Sequence, residues 1–393
     1  MDMKKQARAG LSVLSVMMLL CCQAVLAACS KSNGAPQADG ISAVADRVWA
    51  FSQDHPDGFT LDLRSWTEPA RGIAVSYAAT KGSHSRSQLD GVVSHALAHD
   101  GYVGGWLNPQ DGLYYFDSTR LFAEDSVGAA VSFGLDNGQQ SVFVISALTD
   151  IPLDGTVAEI VSRGTIRVGT TGDYRPLSFR EDDGSYWGFC LEVAQAIAGR
   201  LGVETEYVKT SWPTLTDDVT ATQPTFDLAL CGITITDARR ETMLMSDGYL
   251  ANGKTILCRA EQADRFTSLA DIDRPEVVVM VNPGGLNERF ARQNLTHATI
   301  KVHQQNEEIP ALIARGEADV MITEITEAPY YVKTDPRLAA PLIDRPFTHG
   351  EIGVLMRQGQ DDLLQVVNNV IRQMKADGSL RQLHDKYGLV YAY

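Results

Sequence analysis

Short apolar segments alternate with amphipathic segments from Gly164 to the C-terminal region of this 393-residue chain. The strand-like segments are 166–169, 204–208, 226–231, 277–281 and 318–322, and the helix-like segments are 191–201, 287–294 and 307–315. Strands that alternate with helices predict parallel sheets with helical crossovers, which is an α/β architecture. Ligands of such sheets bind beyond the carboxyl ends of the strands, so we expect the functional residues just after each strand.

The region before this alternation, 41–153, is predicted to be a small α+β module. The supporting patterns are strands at 59–63, 72–77 and 141–148, a hairpin over 102–116 and helices at 87–99 and 124–138. His95 and His99 lie four residues apart on one helix face, a spacing that suits a metal but is also common among solvated histidines. We expect solvated histidines here. The patterns name no activity for the module, and docking to a protein partner is one role that it could have.

The first 28 residues have the layout of a bacterial export signal, with a basic start, an apolar stretch over 11–20 and small residues after it. The segment Leu-Ala-Ala-Cys at 26–29 resembles a lipoprotein box, which implies a lipid on Cys29 and a periplasmic protein held at a membrane. Ordinary cleavage that leaves Cys29 as a free thiol is the alternative. The small, polar residues 29–40 are predicted to form a tether.

Acidic residues exceed basic ones in the whole chain, with 49 Asp+Glu against 34 Lys+Arg and a formal net charge of −15. This balance argues against nucleic acid as a partner, because nucleic-acid binding requires a basic footprint. It leaves small anions as ligands, since a few local cations or a helix N-terminus suffice to bind them. The sequence has no dinucleotide fingerprint, phosphate loop, Ser/His/Asp order or zinc-ligand spacing, so we predict neither a cofactor nor a metal.

Four segments that follow predicted strands carry distinctive residues, and they are 170–179, 231–239, 281–290 and 319–327. The first two, with 380–387, resemble the periplasmic amino-acid-binding proteins of bacterial transporters, and the resemblance covers 160–393. A narrower resemblance, to the periplasmic cyclohexadienyl dehydratases that act on prephenate or arogenate, rests on motifs at 210–213, 252–255, 281–295 and 302–303. Several long motifs in one order are more specific than one short motif.

The resemblance implies a two-lobed, type II periplasmic binding protein-like fold after the α+β module. Lobe 1 is expected at 160–254 and 350–393, lobe 2 at 260–344, and the crossings between them near 255–260 and 345–354. The implied function is a cofactor-free, decarboxylating dehydratase that converts prephenate to phenylpyruvate, arogenate to phenylalanine, or both. The alternative is a non-catalytic amino-acid receptor of an ABC transporter, which a lipid anchor would also suit.

The same resemblance assigns site residues. Glu327 matches the general acid of the dehydratases. The substrate-binding residues that it implies are Arg239, Thr234, Thr236, Asn282, Gly285, Asn287, Trp212, Tyr174, Lys254 and Glu324. Arg239 would clamp a carboxylate, because a planar guanidinium binds one bidentately; a surface arginine paired with Asp237 or Glu241 is the alternative.

Two glutamates three residues apart, Glu324 and Glu327, can raise each other's pKa, which a general acid near neutral pH requires. The alternative is that both are charges favoured by a helix N-terminus. In a receptor, Glu324 would instead hold the ammonium group of an amino acid. Three departures from the family pattern put catalysis in doubt: Leu286 stands where threonine is expected, and Glu324 and Cys190 stand where aspartate is expected.

Overall fold

The computed structural model describes residues 38–393. The predicted export signal, Cys29 and the tether as far as residue 37 lie outside the described residues. Helix α1, Ala38–Gln53, begins inside the segment predicted to be a tether, so that prediction was wrong for its last residues. The cause is an apolar face at helical spacing, which packs on the core of the module and consists of Ile41, Val44, Ala45 and Val48.

The N-terminal module is a six-stranded antiparallel sheet packed with helices. In chain order its elements after α1 are β1 (Phe59–Asp62), β2 (Ile73–Ser76), α2 (Arg86–Ala98), β3 (Tyr102–Leu107), β4 (Tyr114–Phe122), α3 (Val127–Asp136), β5 (Ser141–Val144) and β6 (Thr149–Pro152). The spatial strand order is β1-β3-β4-β2-β5-β6. The closing strand predicted over 141–148 is shorter than expected and ends at Val144. Residues 145–147 form a 3-10 turn, Leu148 adopts the left-handed backbone conformation, and a further strand, β6, follows this turn.

The remaining elements form two further bodies. In chain order they are α4 (Thr156–Arg163), β7 (Thr165–Thr170), β8 (Asp173–Tyr174), β9 (Ser178–Arg180), β10 (Tyr186–Trp187), α5 (Phe189–Leu201), β11 (Glu204–Lys209), α6 (Leu215–Thr220), β12 (Leu228–Thr234), α7 (Asp237–Thr242), β13 (Met243–Met245), β14 (Leu250–Asn252), β15 (Lys254–Arg259), α8 (Leu269–Ile272), β16 (Val278–Val281), α9 (Leu286–Asn294), β17 (Thr299–Val302), α10 (Ile309–Ala314), β18 (Val320–Glu324), α11 (Ala328–Thr334), β19 (Leu338–Ala339), β20 (Gly350–Arg357), α12 (Asp361–Ala376) and α13 (Ser379–Tyr387). None of the helices within 38–393 is long and apolar enough to cross a membrane.

Each lobe is built on one mixed sheet, and the two sheets follow the same plan. Lobe 1 has the order β11-β7-β12-β20-β13, and lobe 2 has the order β17-β16-β18-β15-β19. In each sheet three parallel strands are followed by one antiparallel strand that comes from a crossing segment. The carboxyl ends of the parallel strands in both lobes therefore face the region between the lobes, which is the type II binding-protein architecture.

The first crossing between the lobes lies earlier than predicted. Strand β14 pairs with β20 of lobe 1, whereas β15 begins at Lys254 and pairs with β18 of lobe 2, so the chain crosses at Gly253. The segment 255–260 reads as a linker in the sequence, but its first residues are buried and form the crossing strand of the lobe 2 sheet. The second crossing runs beside the first, since Phe347 N–H donates to the Lys254 carbonyl oxygen at 2.7 Å.

The N-terminal module shares a hydrophobic core with lobe 1. One continuous cluster of buried side chains includes Val131 and Val142 of the module together with Ile197 and Val370 of lobe 1. Helix α3 approaches the end of α5 so closely that a Cβ on Gly128 would lie 2.0 Å from the Leu201 carbonyl oxygen. The module is therefore packed as part of the folded body, and any partner would dock on its outer surface.

Candidate functional site

A cleft with about 340 Å³ of space that no protein atom fills, part of it open to solvent, lies between the two lobes. Its lining comes from both of them and consists of Tyr174, Trp212, Gly232, Thr234, Arg239, Lys254, Asn282, Gly285, Leu286, Asn287, Asn306 and Glu324. Thr234 ends β12, Asn282 follows β16 and Glu324 ends β18, so three carboxyl strand ends converge here. This is the position at which parallel sheets bind ligands.

The structure brings most of the predicted site residues into this lining. They are Arg239, Thr234, Asn282, Gly285, Asn287, Trp212, Tyr174, Lys254 and Glu324. Two predicted residues, Thr236 and Glu327, lie outside it. Thr236 is the N-cap of α7, and its hydroxyl oxygen accepts from the Arg239 backbone N–H at 3.3 Å. Its position as a helix cap explains why Thr236 supports Arg239 and does not line the cleft.

Arg239 reaches into the cleft from the short helix α7. Its Nη1 donates to the Thr234 carbonyl oxygen at 2.6 Å, and within 38–393 the guanidinium forms no ion pair with Asp237 or Glu241. Burial lowers the pKa of Arg239, and a guanidinium keeps its charge in proteins despite such a shift. Its remaining N–H groups are thus available to a ligand carboxylate.

Lys254 and Glu324 form a buried ion pair at the floor of the cleft. They are directly opposite each other on β15 and β18, and Lys254 Nζ lies 2.5 Å from Glu324 Oε1. Lys254 Nζ also donates to Asn287 Oδ1 at 2.6 Å. Burial acts to raise the pKa of Glu324, but the adjacent Lys254 ammonium, together with hydrogen bonds from Tyr174 and Asn252, outweighs it and holds that pKa below its ordinary value. Glu324 is therefore ionised and paired.

Tyr174 connects the lobes at the same carboxylate. Its hydroxyl donates to Glu324 Oε2, and its ring meets that of Trp212 edge to face with 5.7 Å between the centroids. The ring lies against β12 at Gly232, where the φ angle is +85° and a Cβ would lie 2.6 Å from a ring carbon of Tyr174. A glycine is required there on both counts.

Helix α9 begins at the cleft. Gly285 is its N-cap without a side-chain cap bond, and Asn287 Nδ2 donates to Asn282 Oδ1 at 3.5 Å. The first amide groups of an α-helix have no intrahelical acceptors, so this end can accept an anion. Leu286 lines the cleft with an apolar side chain, as expected from its departure from the family pattern.

Glu327 lies one layer behind the lining and has no exposed surface. Asn306 Nδ2 donates to its Oε1 at 3.0 Å, and the Thr323 hydroxyl donates to its Oε2. Burial, with the negative charge of Glu324 as a further cause, raises the pKa of Glu327 to about 8. The carboxyl group is therefore protonated at neutral pH, which is the state that a general acid needs.

Sequence reasoning missed Asn306, which contacts both lobes. Besides Glu327, its Nδ2 donates to the Asp173 carbonyl oxygen of lobe 1 at 3.1 Å, while its buried Oδ1 has no hydrogen-bond partner among the described residues. The signal that could have found it is its position, because Asn306 follows β17 just before α10. The carboxyl end of that strand was left out of the four strand-end segments.

Asp173, an acidic residue beside Trp212, is the second residue that the sequence did not single out. Trp212 Nε1 donates to its Oδ1 at 3.2 Å, and burial raises the pKa of Asp173. Cys190 and Cys231 are both buried free thiols outside the lining, so neither faces the cleft. The departure at Cys190 therefore alters the lobe 1 core and not the lining of the site.

His95 and His99 are stacked at the surface of the module with 3.9 Å between ring centroids. His95 Nδ1 lies 2.9 Å from Ser118 Oγ, and His99 Nδ1 lies 2.8 Å from the His95 carbonyl oxygen. The part of the chain that the structure describes contains no group of three or more His, Cys, Asp or Glu side chains that could hold a metal ion.

Comparison with known proteins places this geometry in a family. Bacterial extracellular solute-binding proteins, family 3, match residues 166–390, which is more than half of the chain. Cyclohexadienyl dehydratase of Pseudomonas aeruginosa is 39% identical over 223 residues, covering 57% of this chain and 82% of that relative. L-cystine-binding protein TcyJ of Escherichia coli is 28% identical over 235 residues, covering 60% of this chain and 86% of the relative.

A solved structure, the ancestral amino acid-binding protein AncCDT-1, a precursor of cyclohexadienyl dehydratase, has a TM-score of 0.55 and 37% identity. It covers 59% of this chain and 99% of its own. These relatives include both a dehydratase and amino-acid-binding proteins. The chain therefore belongs to the bacterial extracellular solute-binding proteins, family 3.

Proposed function

We propose that this protein is a cofactor-free decarboxylating dehydratase that acts on prephenate, arogenate or both. The observation that carries the proposal is Glu327, a buried carboxyl group whose pKa is raised to about 8 directly behind a cleft that presents a partly buried arginine, Arg239. A purely binding site has no need for a buried acid that keeps its proton at neutral pH. The 39% identity to a cyclohexadienyl dehydratase supports the same conclusion.

The cleft offers two separate anion sites for a substrate with two carboxylates. Arg239 would bind one carboxylate through its free N–H groups, with its position fixed by the Thr234 carbonyl. The start of α9, beside Asn282, would bind the other through backbone amides. Tyr174 and Trp212 would form the walls against the ring.

The reaction needs one proton and no external electrons. The bond from the ring to its carboxylate breaks and carbon dioxide leaves, while the electron pair enters the ring. The C4–oxygen bond breaks at the same time, and the leaving hydroxyl takes a proton from Glu327 and departs as water. Glu327 then regains a proton from solvent. General acid catalysis of this kind contributes about 10²–10⁴-fold, and the binding groups add orientation.

Asn306 must take part in the approach of the substrate to Glu327. Its amide contacts the Glu327 carboxyl and also lines the cleft. We infer that the substrate hydroxyl displaces this amide and takes over the contact with Oε1. Displacement would free the Asn306 side chain, whose buried Oδ1 has no partner within the described residues, to bond with the incoming ligand.

The second candidate function is a non-catalytic amino-acid receptor of an ABC transporter. Relatives such as TcyJ are named as amino-acid-binding proteins, and Leu286 removes a hydroxyl from the expected anion site. The Lys254–Glu324 pair counts against this function, because it occupies the carboxylate that would hold the ligand ammonium.

The test is to mix the purified mature chain with prephenate and follow phenylpyruvate by its absorbance in alkali, with arogenate followed by release of phenylalanine. We expect turnover that disappears in Glu327→Gln. Tight binding of an amino acid by calorimetry, with no turnover of either substrate, would establish the receptor function instead.

We also propose that the protein is periplasmic and carries a lipid on Cys29. The extracellular solute-binding family supports an exported protein. A Cys29→Ser variant should move from the membrane fraction to the soluble periplasmic fraction, and no change in fractionation would refute the anchor. Docking of 41–153 to a protein partner is likewise proposed from the sequence.

A further inference from the structure

A second groove lies outside the cleft, where the N-terminal module meets lobe 1. It has about 1590 Å³ of space that no protein atom fills, part of it open to solvent. Its walls come from β2, β4 and β5 of the module and from α5 and α12 of lobe 1, and none of its lining residues lines the cleft. We propose that this groove is a second binding site, which takes an α-amino acid with an apolar side chain. The inference does not depend on the proposed function.

One side of the groove is apolar. It is formed by buried side chains of the core that the module shares with lobe 1, and these are Ile73, Val127, Val144, Ile151 and Val366. The partly buried ring of Phe122 extends this side toward solvent. Covering apolar surface with an apolar group releases water and is favourable, so this side fits an aliphatic or aromatic side chain.

Arg200 supplies a positive charge to the same groove. It is partly buried in the last turn of α5, where its Nη1 donates to the Glu124 carbonyl oxygen at 3.1 Å and its Nη2 donates to Gln373 Oε1. Burial lowers the pKa of Arg200, yet a guanidinium stays charged in proteins. Within 38–393 it forms no ion pair, so three of its five N–H groups are available to a ligand carboxylate.

Glu124 supplies the complementary negative charge beside Arg200, in the segment between β4 and α3. Its Oε1 is shielded from solvent and has no hydrogen-bond partner among the described residues, and the two charged side chains form no ion pair with each other. A buried acceptor that lacks a donor costs free energy, which a ligand that brings a donor recovers. The neighbouring carboxylate of Asp125 is exposed and also lines the groove.

A zwitterion complements both charges at once. Its carboxylate would bind Arg200, its ammonium would bind Glu124, and its side chain would cover the apolar side of the groove. A carboxylate ligand without an amine would leave Glu124 unpaired, and an amine without a carboxylate would leave Arg200 unpaired. Arg71 and Arg372 also line the groove, but both are exposed, so salt screens their charges.

The experiment measures the binding of L-leucine and L-phenylalanine by calorimetry. The protein carries Arg239→Gln, which weakens any binding in the cleft. We expect at least one of the two amino acids to bind, and its matched analogues to bind at least about tenfold more weakly. The analogues without the amine are 4-methylpentanoate and 3-phenylpropanoate, and those without the carboxylate are 3-methylbutylamine and 2-phenylethylamine.

Groove variants in the same background locate the site. Arg200→Gln and Glu124→Gln each remove one charge and keep a polar side chain, and each should weaken binding at least about tenfold. Arg345→Gln and Glu276→Gln remove exposed charges outside both linings and should change nothing. Melting curves show which variants fold, and Glu124→Gln alone decides the test if Arg200→Gln does not. The bound amino acid should also raise the melting temperature, except in the groove variants.

Three results would overturn the inference. Neither amino acid binds, or binding is unchanged in a folded Glu124→Gln protein, or an analogue that lacks one of the two charged groups binds as tightly as the amino acid. None of these measurements uses turnover of prephenate, so a failure of the proposed function leaves their outcome unaffected.

Discussion

Replacing Glu327 by glutamine should stabilise the protein and stop the proposed reaction, two effects of opposite direction from one substitution. Glutamine keeps the size of the side chain and can still accept from Asn306, and its amide can donate to the Thr323 oxygen. The carboxyl proton is lost. The variant therefore removes the acid and leaves the surrounding hydrogen bonds in place.

The magnitude follows from the pKa of Glu327, which burial raises from 4.5 to about 8. At pH 7 the carboxyl group is ionised in the unfolded chain and protonated in the folded one. Each pKa unit corresponds to about 1.4 kcal/mol, so keeping this group neutral costs about 3 kcal/mol at pH 7. Because the folded state binds the extra proton, stability has its full value below about pH 4.5 and falls as the pH rises from 4.5 to 8.

Glu327→Gln lacks this cost, so at pH 7 we expect a melting temperature about 4 °C higher for a chain of this length. Near pH 4.5 the gain should vanish. The assays are thermal melting at both pH values and prephenate turnover, where kcat should fall by about 10²–10⁴-fold. Glu276→Gln is the control, since Glu276 is exposed and should change neither quantity. Equal melting temperatures at pH 7, or undiminished turnover, would refute the assignment.

Three other substitutions test the rest of the site and its support. Arg239→Gln should weaken phenylpyruvate binding by about 10–100-fold in calorimetry, because hydrogen bonds to charged groups contribute about 1.5–3 kcal/mol, whereas the exposed neighbour Arg240→Gln should have little effect. Asn306→Ala removes a hydrogen bond that lowers the pKa of Glu327 in the free protein, so the alkaline decline in kcat/KM should move to higher pH, and a decline at unchanged pH would contradict this. Gly128→Ala places a methyl group against Leu201 and should reduce stability by about 1–3 kcal/mol with turnover retained, and an unchanged melting curve would count against the tight contact.

The periodic alternation of apolar and amphipathic segments predicted the α/β architecture, and the family resemblance supplied its division into two lobes. Alternating strands and helices determine the parallel core of each sheet, and the strand ends then determine where the lining must lie. Arg239 and Asn282 lie in two of the segments selected in this way, one after β12 and one after β16, and the family resemblance supplied their roles. Asn306 also follows a strand, β17, but that strand has only four residues and was not predicted from the sequence. Asn306 was therefore missed.

The features that the sequence could not predict depend on how deeply a segment is buried and on which distant segments pair with each other. A buried strand and an exposed linker have similar extended patterns in a sequence, so all of β15 except its first residue was predicted to be the crossing between the lobes. The sequence does not distinguish Glu324 from Glu327, which both follow the same predicted strand. In the structure Lys254 neutralises Glu324, whereas Glu327 is buried behind Asn306. Only the cross-strand register determines which glutamate is ionised.

The acidity of the chain and the proposed binding of an anionic substrate are compatible because of these local arrangements. The formal net charge is −15, yet the acidic groups near the cleft are paired or have raised pKa values. Glu324 is neutralised by Lys254, Glu327 keeps its proton, and burial raises the pKa of Asp173. Arg239 then dominates the potential within the cleft, where burial reduces screening by salt. Binding should therefore depend on the pairing state of three carboxyl groups far more than on the charge of the surface.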